Sequence, residues 1–191
     1  MRVQGRVIGL FLASFLLSSC VGEIWTGASL IYDRHNVYKK LDDYKLLASA
    51  NQAIYQNRLL KRDDVSVELA VFNGDILLVG SVPTVELREE VNARVARIGG
   101  YRRLFNQLSI LPKPANAIED SWITGDIRSR MVADSDIDPS KFKVVTYNQI
   151  VYLMGDVVPN QAKLVIAIAR QPRAVKRVVK LFKYYHLSDR D

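Results

Sequence analysis

"FNGDILLVGSV" (72–82) and "YNQIVYLMGDV" (147–157) decide the fold. The first opens on Asn73-Gly74, a pair suited to the left-handed dihedrals of a tight hairpin. The run "ILLVG" that follows is apolar without alternation, the mark of a buried strand. Ahead of the turn, "VSVELAV" (65–71) alternates Val65, Val67, Leu69 and Val71, which reads as its partner strand. The second stretch repeats the order: "FKVVTY" and "IVYLMG" pair around Asn148-Gln149. Gly80 and Gly155, which end the second strand of each pair, lie 75 residues apart. Gln149 stands where the first copy has Gly74, so a wider turn is expected there.

Working outward, each hairpin is flanked by helices. Leu46, Ala50 and Ile54 recur every fourth residue with Leu47 beside them, and Ile123, Ile127 and Met131 do the same 77 positions later. After each hairpin, "TVELREEVNARVARI" (84–98) carries Leu87, Val91, Val95 and Ile98 on one face. Its counterpart is "PNQAKLVIAIARQ" (159–171). Thr84 caps the former and Gly99-Gly100 stops it; Pro159 opens the latter, which stops near Pro172. "YRRLFNQLSI" (101–110) and "AVKRVVKLFKYY" (174–185) close as strands. The expected class is α+β: two tandem α-β-β-α-β domains, each a three-stranded mixed sheet with two helices on one face. They span 43–110 and 119–185, joined by the proline-containing linker 111–118 ("LPKPANAI") and followed by a tail, 186–191. A single mixed domain over 43–185 is the alternative, in which strands of the two halves would interleave. Each half is under 70 residues and marginal alone, so contacts between them, or with the segment before them, carry weight.

The N-terminus has its own logic. Arg2 and Arg6 precede "VIGLFLASFLL" (7–17), an uncharged run of 11 residues, too short to span a bilayer and the right length for the core of an export signal. "LSSC" (17–20) resembles the lipobox of bacterial lipoproteins. That resemblance implies cleavage after residue 19, a diacylglycerol on Cys20 and an acyl chain such as palmitate on the new amino group. Several chains anchor firmly where one binds marginally. Val21 stands where an inner-membrane retention signal would have aspartate, which implies the periplasmic face of the outer membrane. Residues 20–42 read as a lipidated tether, with a short helix around 24–31.

The chain carries a net charge of +7, and without the two signal arginines about +5 remains. The bias lies in the second copy, where residues 113–191 hold 13 Lys/Arg against 9 Asp/Glu. Arg173, Lys176, Arg177, Lys180 and Lys183 crowd its end. A mild basic excess suits acidic partners. Export favours anionic headgroups, and no recognition-helix motif supports nucleic acid. Cys20, the only cysteine, leaves no disulfide within the chain.

The helix triplets, the strand pairs ending in "LLVGSV" and "YLMGDV", and the closing strands together resemble the BON family (bacterial OsmY and nodulation domain). The resemblance covers roughly 43–110 and 119–185. It implies envelope maintenance, association with anionic phospholipid such as phosphatidylglycerol through the second copy, and no catalysis. It also makes the outer-membrane protein assembly machinery a candidate partner. A protein-interaction adaptor for that machinery, or for cell-wall remodelling, is the competing class.

Parts for an enzyme are missing from the sequence. His35 and His186 are the only histidines and lie outside the expected cores, so neither a nucleophile pair nor a transition-metal cluster is expected. No cofactor is expected beyond the covalent lipid on Cys20. Asp134, Asp136 and Asp138 alternate like a calcium loop but lack its central glycine and later glutamate, so a solvated, side-chain-capped loop is expected. The candidate phospholipid site is "DSWITGDIRSRM" (120–131): Trp122, Ile123, Gly125, Asp126, Arg128, Ser129 and Arg130. Aligning the helices puts Lys45 over Trp122, which marks the position as solvent-facing. There Trp122 either packs on the first copy or a loop, or serves as an interfacial foot with Arg128 or Arg130 at lipid phosphate. Asp126 and Ser129 would edge that foot.

Overall fold

The computed structural model describes residues 29–56, 60, 62–110 and 116–185, with side chains from residue 38 onward. The signal, Cys20, His35's side chain, most of the linker and the tail fall outside it. Residues 39–191 form one compact unit.

Helix α1 (Ser29–Tyr55) leads into strands β1 (Ser66–Phe72) and β2 (Asp75–Val82), helix α2 (Val85–Ala96) and strand β3 (Arg103–Ile110). The second copy runs α3 (Ala117–Ala133), a 3-10 turn (Pro139–Lys141), β4 (Phe142–Tyr147), β5 (Ile150–Val157), α4 (Pro159–Ala169) and β6 (Arg177–Tyr184). Helix α1 is continuous from Ser29, so residues 29–42 of the expected tether are helical, while the rest of the tether and most of the short helix expected around 24–31 lie outside the described residues. Each sheet is mixed. The central strand pairs antiparallel with the strand before it and parallel with the strand after it, and no strand crosses between sheets.

The α-β-β-α-β order holds in both copies because each helix pair has an apolar stripe to cover. Ala50, Ile54, Val91 and Val95 pack on Val67, Ile76, Leu78 and Val82. Ile123, Ile127, Met131, Val165 and Ile168 pack on Val144, Val151, Leu153 and Val157. Successive strand residues point to opposite faces, so the other residues of the central strands need a second cover. The two sheets supply it to each other. Ala70, Leu77 and Val79 from the first meet Tyr147, Tyr152, Met154 and Leu181 from the second in a third apolar cluster. Every residue of β2 is therefore buried.

Polar contacts fix this seam. Asp75, 1% exposed, accepts from the Arg102 guanidinium at 2.6 and 2.8 Å and from that of Arg103. Arg102 also donates to Asp156 of the second copy at 2.9 Å, and Arg103 to the carbonyl oxygens of Leu181 and Phe182. Burial alone would raise the Asp75 carboxyl, but the hydrogen bonds and charges of the two arginines outweigh it and hold it below the usual range.

The hairpin turns share a device. Both Asp43 oxygens accept turn amides, from Asn73 and Gly74, at 2.8 Å. Both Asp120 oxygens accept from Asn148 at 2.7 Å and Gln149 at 2.8 Å. Turn carbonyls then receive the entry to the last strand, Gly74 from Arg102 N–H and Gln149 from Lys176 N–H. The second turn is not wider: Asn148 and Gln149 take φ of 50° and 63°, matching 49° and 78° at Asn73 and Gly74. Its aspartate clamp holds a left-handed glutamine where glycine would be easier. Gly80 and Gly155 occupy matching register positions, opposite Val67 and Phe142. A Cβ at Gly155 would stand 2.6 Å from the Lys141 carbonyl oxygen, and one at Gly80 would run into that of Ser66.

Three consequences are measurable by denaturation of the full chain. Gly155→Ala loses about 1–3 kcal/mol, because backbone must move; an unchanged midpoint would contradict the close approach. Asp120→Ala loses a similar amount, about 1–3 kcal/mol, through two turn amides left without an acceptor. Stability from Asp75 is present at neutral pH, begins to fall below about 4, where the unfolded carboxyl protonates, and is lost as pH drops through the lower folded value, since the folded carboxyl is the harder one to protonate. Asp75→Asn should flatten that limb of the pH–stability curve.

Candidate functional site

Helix α3 has one face in the core and a different kind of face outside. Asn116 caps its start through the Glu119 amide. Ile123, Ile127 and Met131 point inward beside Asp120. On the opposite side, at helical spacing, stand Ile118 (84% exposed), Trp122 (63%), Gly125, Ser129 and Val132 (72%). Three large apolar side chains on the solvent face of a helix are not accounted for by the core beneath them.

The basic groups differ in availability. Arg130 is tied to Asp126 at 2.9 Å and to Gln171 at 2.8 Å. Arg128 is exposed and makes no ion pair or hydrogen bond among the described residues. Arg173, Lys176, Arg177, Lys180 and Lys183 are also exposed, on the turn before β6 and on that strand.

The sequence-predicted residues separate accordingly. Trp122, Gly125, Arg128, Ser129 and Arg130 are exposed on α3. Ile123 is fully buried, so it belongs to the core and has no surface to offer a ligand. Asp126 is half-buried and turned toward Arg130, so the expected acidic edge is a neutralised one. Lys45, the first-copy counterpart of Trp122, is exposed too and pairs with Asp42 at 3.6 Å. Ile118 and Val132 were missed. Their distances from Trp122, one turn back and almost three turns on, are a helical signal that an outward-facing stripe would have revealed.

Beside this face lies a cleft of about 540 Å³ between the copies, lined by Ser66 and Glu68 of β1, by α3 from Ala117 to Arg128, and by Val144 to Tyr147 of β4. Desolvation there, then the charge of Asp120, raise the Glu68 carboxyl. In the aspartate-rich loop, Asp134 accepts from the Asp136 amide at 3.0 Å, and Asp138 from the Ser140 amide and hydroxyl at 3.1 and 2.6 Å. Those carboxylates serve as caps. Among the described residues no three His, Cys, Asp or Glu side chains gather to hold a metal, and no helix is long and apolar enough to cross a membrane.

The BON domain family profile matches residues 42–112 and 119–184. The chain belongs to the BON-domain family. Relatives include the outer membrane lipoprotein DolP of Haemophilus influenzae, 29% identical over 90% of this chain and 92% of the relative. A 21 kDa hemolysin of Actinobacillus pleuropneumoniae is 30% identical over 64% of each chain. CdsD, a structural protein of the type III secretion system of Chlamydia trachomatis, aligns at a TM-score of 0.31 and 11% identity over 74% of this chain and 92% of its own, a likeness too slight to carry weight.

Because the α3 stripe takes no part in the core, Trp122→Ala and Ile118→Ser should each leave unfolding free energy within about 0.5 kcal/mol of wild type. A larger loss in urea titration would mean that Trp122 packs against the protein.

Proposed function

We propose that this BON protein is a non-enzymatic lipoprotein, acylated at Cys20 and held at the periplasmic face of the outer membrane. There it binds anionic phospholipid through α3 of the second copy and supports envelope integrity. The observation that carries the binding step is the outward stripe of Ile118, Trp122 and Val132 next to the unpaired Arg128. Tryptophan suits the boundary between headgroups and acyl chains, having an apolar body and a polar edge. A free arginine beside it meets phosphate without first breaking an ion pair. The likeness to a protein named as an outer membrane lipoprotein, together with the "LSSC" stretch, supports the anchor and the location.

In this reading the contributions are unequal. Acyl chains on Cys20 supply the membrane affinity, and α3 orients an already tethered body. Near an anionic surface each basic side chain contributes about 1 kcal/mol. Arg130 contributes less than Arg128, because leaving Asp126 and Gln171 offsets what it gains at a phosphate.

The test uses the full chain with Cys20→Ala, so that binding is read without the anchor. Vesicles containing phosphatidylglycerol should shift the amides of 118–132, and phosphatidylcholine vesicles should not. Arg128→Ala should weaken binding more than Arg130→Ala, and Trp122→Ala should abolish it in a folded protein. Equal response to both vesicles would remove the anionic preference, and no response would refute the α3 site. Separately, mass spectrometry of the native protein should find Cys20 acylated and N-terminal.

A further inference from the structure

The outward side of α4 belongs to the same layer of the molecule as the α3 stripe. Both helices lie on one face of the second sheet, because Ile123, Ile127 and Met131 share a core with Ala162, Val165 and Ile168. The sides turned away from that core therefore look the same way. On α4 this side carries Asn160, Lys163, Ala167 and, at the helix end, Arg170, all exposed and at helical spacing. Arg130 of α3 reaches Gln171, just past that end, at 2.8 Å. Leu164, 38% exposed, lies two turns before Gln171 on the same flank, the one toward α3.

Free charge on this layer has one sign. Helix α4 contains no acidic residue. Each carboxylate of α3 is engaged: Glu119 accepts from the Gln149 side-chain amide at 2.6 Å, Asp120 from two turn amides and Asp126 from Arg130. The side chains of Lys163 and Arg170, like that of Arg128, make no ion pair or hydrogen bond among the described residues.

The first copy shows that the fold does not demand this face. The N-caps Thr84 and Val158, and the buried pair Val91 and Val165, match α2 to α4 at a spacing of 74. Glu86, Glu89 and Glu90 then stand where α4 has Asn160, Lys163 and Leu164, and Ala96 stands in place of Arg170. Glu89 and Glu90 are paired within α2, to Arg88 and Arg94. A largely self-paired acidic face in one copy is a basic and apolar face in the other.

We infer that the outward side of α4 is a second membrane-contacting element: Lys163 and Arg170 meet phosphates of anionic phospholipid, and Leu164 widens the apolar contact begun by Trp122. This rests on the lipid-binding reading of α3 and extends it from one helix to a two-helix face. Charge complementarity and continuity with the α3 stripe select the occupant, a bilayer surface broad enough to meet both helices at once. The lysine stem can lie along the helix while its ammonium reaches a headgroup. The same contact sets how the protein stands. The first copy packs on the opposite face of the second sheet, so it is carried on the side away from the bilayer.

The test uses the full chain with Cys20→Ala and vesicles of phosphatidylglycerol in phosphatidylcholine, a fraction of the headgroups carrying a paramagnetic label. Amides of Lys163, Ala167 and Arg170 should broaden together with those of 118–132. Lys163→Ala and Arg170→Ala should each weaken vesicle binding about fivefold, and Lys163→Glu, which installs the first-copy residue, about twentyfold. Lys183→Ala removes the same charge from the seam side of β6, in alternation with Leu181. It should leave binding within about twofold at physiological salt, where charges are screened over about 8 Å. All four are surface changes and should melt as wild type. Broadening confined to 118–132, with Lys163→Ala and Arg170→Ala binding as wild type, would overturn the α4 element and leave the α3 reading standing. Broadening confined to α4 would overturn the α3 reading and, with it, the two-helix face. A loss in Lys183→Ala as large as in Lys163→Ala would reduce the effect to net charge and overturn the assignment. No response at either helix would refute both.

Discussion

The structure depends on the burial of both faces of its two central strands. A strand such as "ILLVG" has no polar side to show to water. Helices cover Ile76 and Leu78, and only another apolar sheet can cover Leu77 and Val79. The second copy poses the same problem with Tyr152 and Met154 and answers it in the same place. Neither copy is therefore a free module. Their union brings β1 beside α3 and β4 and so creates the cleft between them.

The seam is also where duplicates part company. Asp75 and Ile150 are matching residues, each the first of its central strand. One is a buried carboxylate gripped by two arginines, and the other packs at the margin of the apolar seam. Burying the carboxylate alone would cost several kcal/mol, so Arg102 and Arg103 are required by Asp75 more than they are stabilising in their own right. The first helices of the two copies diverge too. Tyr55 donates to the Val67 carbonyl where Val132 has no group to donate, and Lys45 pairs with Asp42 where Trp122 presents an exposed ring.

Most of the fold was legible because the signal was doubled. The 77-residue spacing of the helix triplets and the 75-residue spacing of Gly80 and Gly155 placed the strands and the apolar helix faces of both copies, and Thr84 and Pro159 marked helix starts as expected. The second turn was misread because residue type stood in for conformation: Gln149 suggested a longer loop, while Asp120 holds the short one. That clamp was available in the sequence, since Asp43 and Asp120 share the spacing of the triplets. Sheet-on-sheet packing was half legible. The unbroken apolar run said that two covers were needed but not that the other copy was the second. On α3, Trp122 stood out because it is large, whereas Ile118 was counted with the linker and Val132 drew no reading, although α3 includes both. The i,i+4 spacing of Asp126 and Arg130 was a legible sign of one tether, but Gln171 lies 41 residues away and meets Arg130 only in the folded chain.

The asymmetry of the seam bears on how two molecules could associate. A surface with Asp75 and its arginines on one side, and Asp156 with the carbonyls of β6 on the other, is complementary to its opposite and not to itself. Two first copies facing each other would set arginine against arginine. The first copy of one chain laid on the second copy of another would reproduce each contact seen within a single chain. Exchange of halves between neighbouring chains is thus the self-association that keeps every polar contact of the seam, whereas pairing of like copies breaks them.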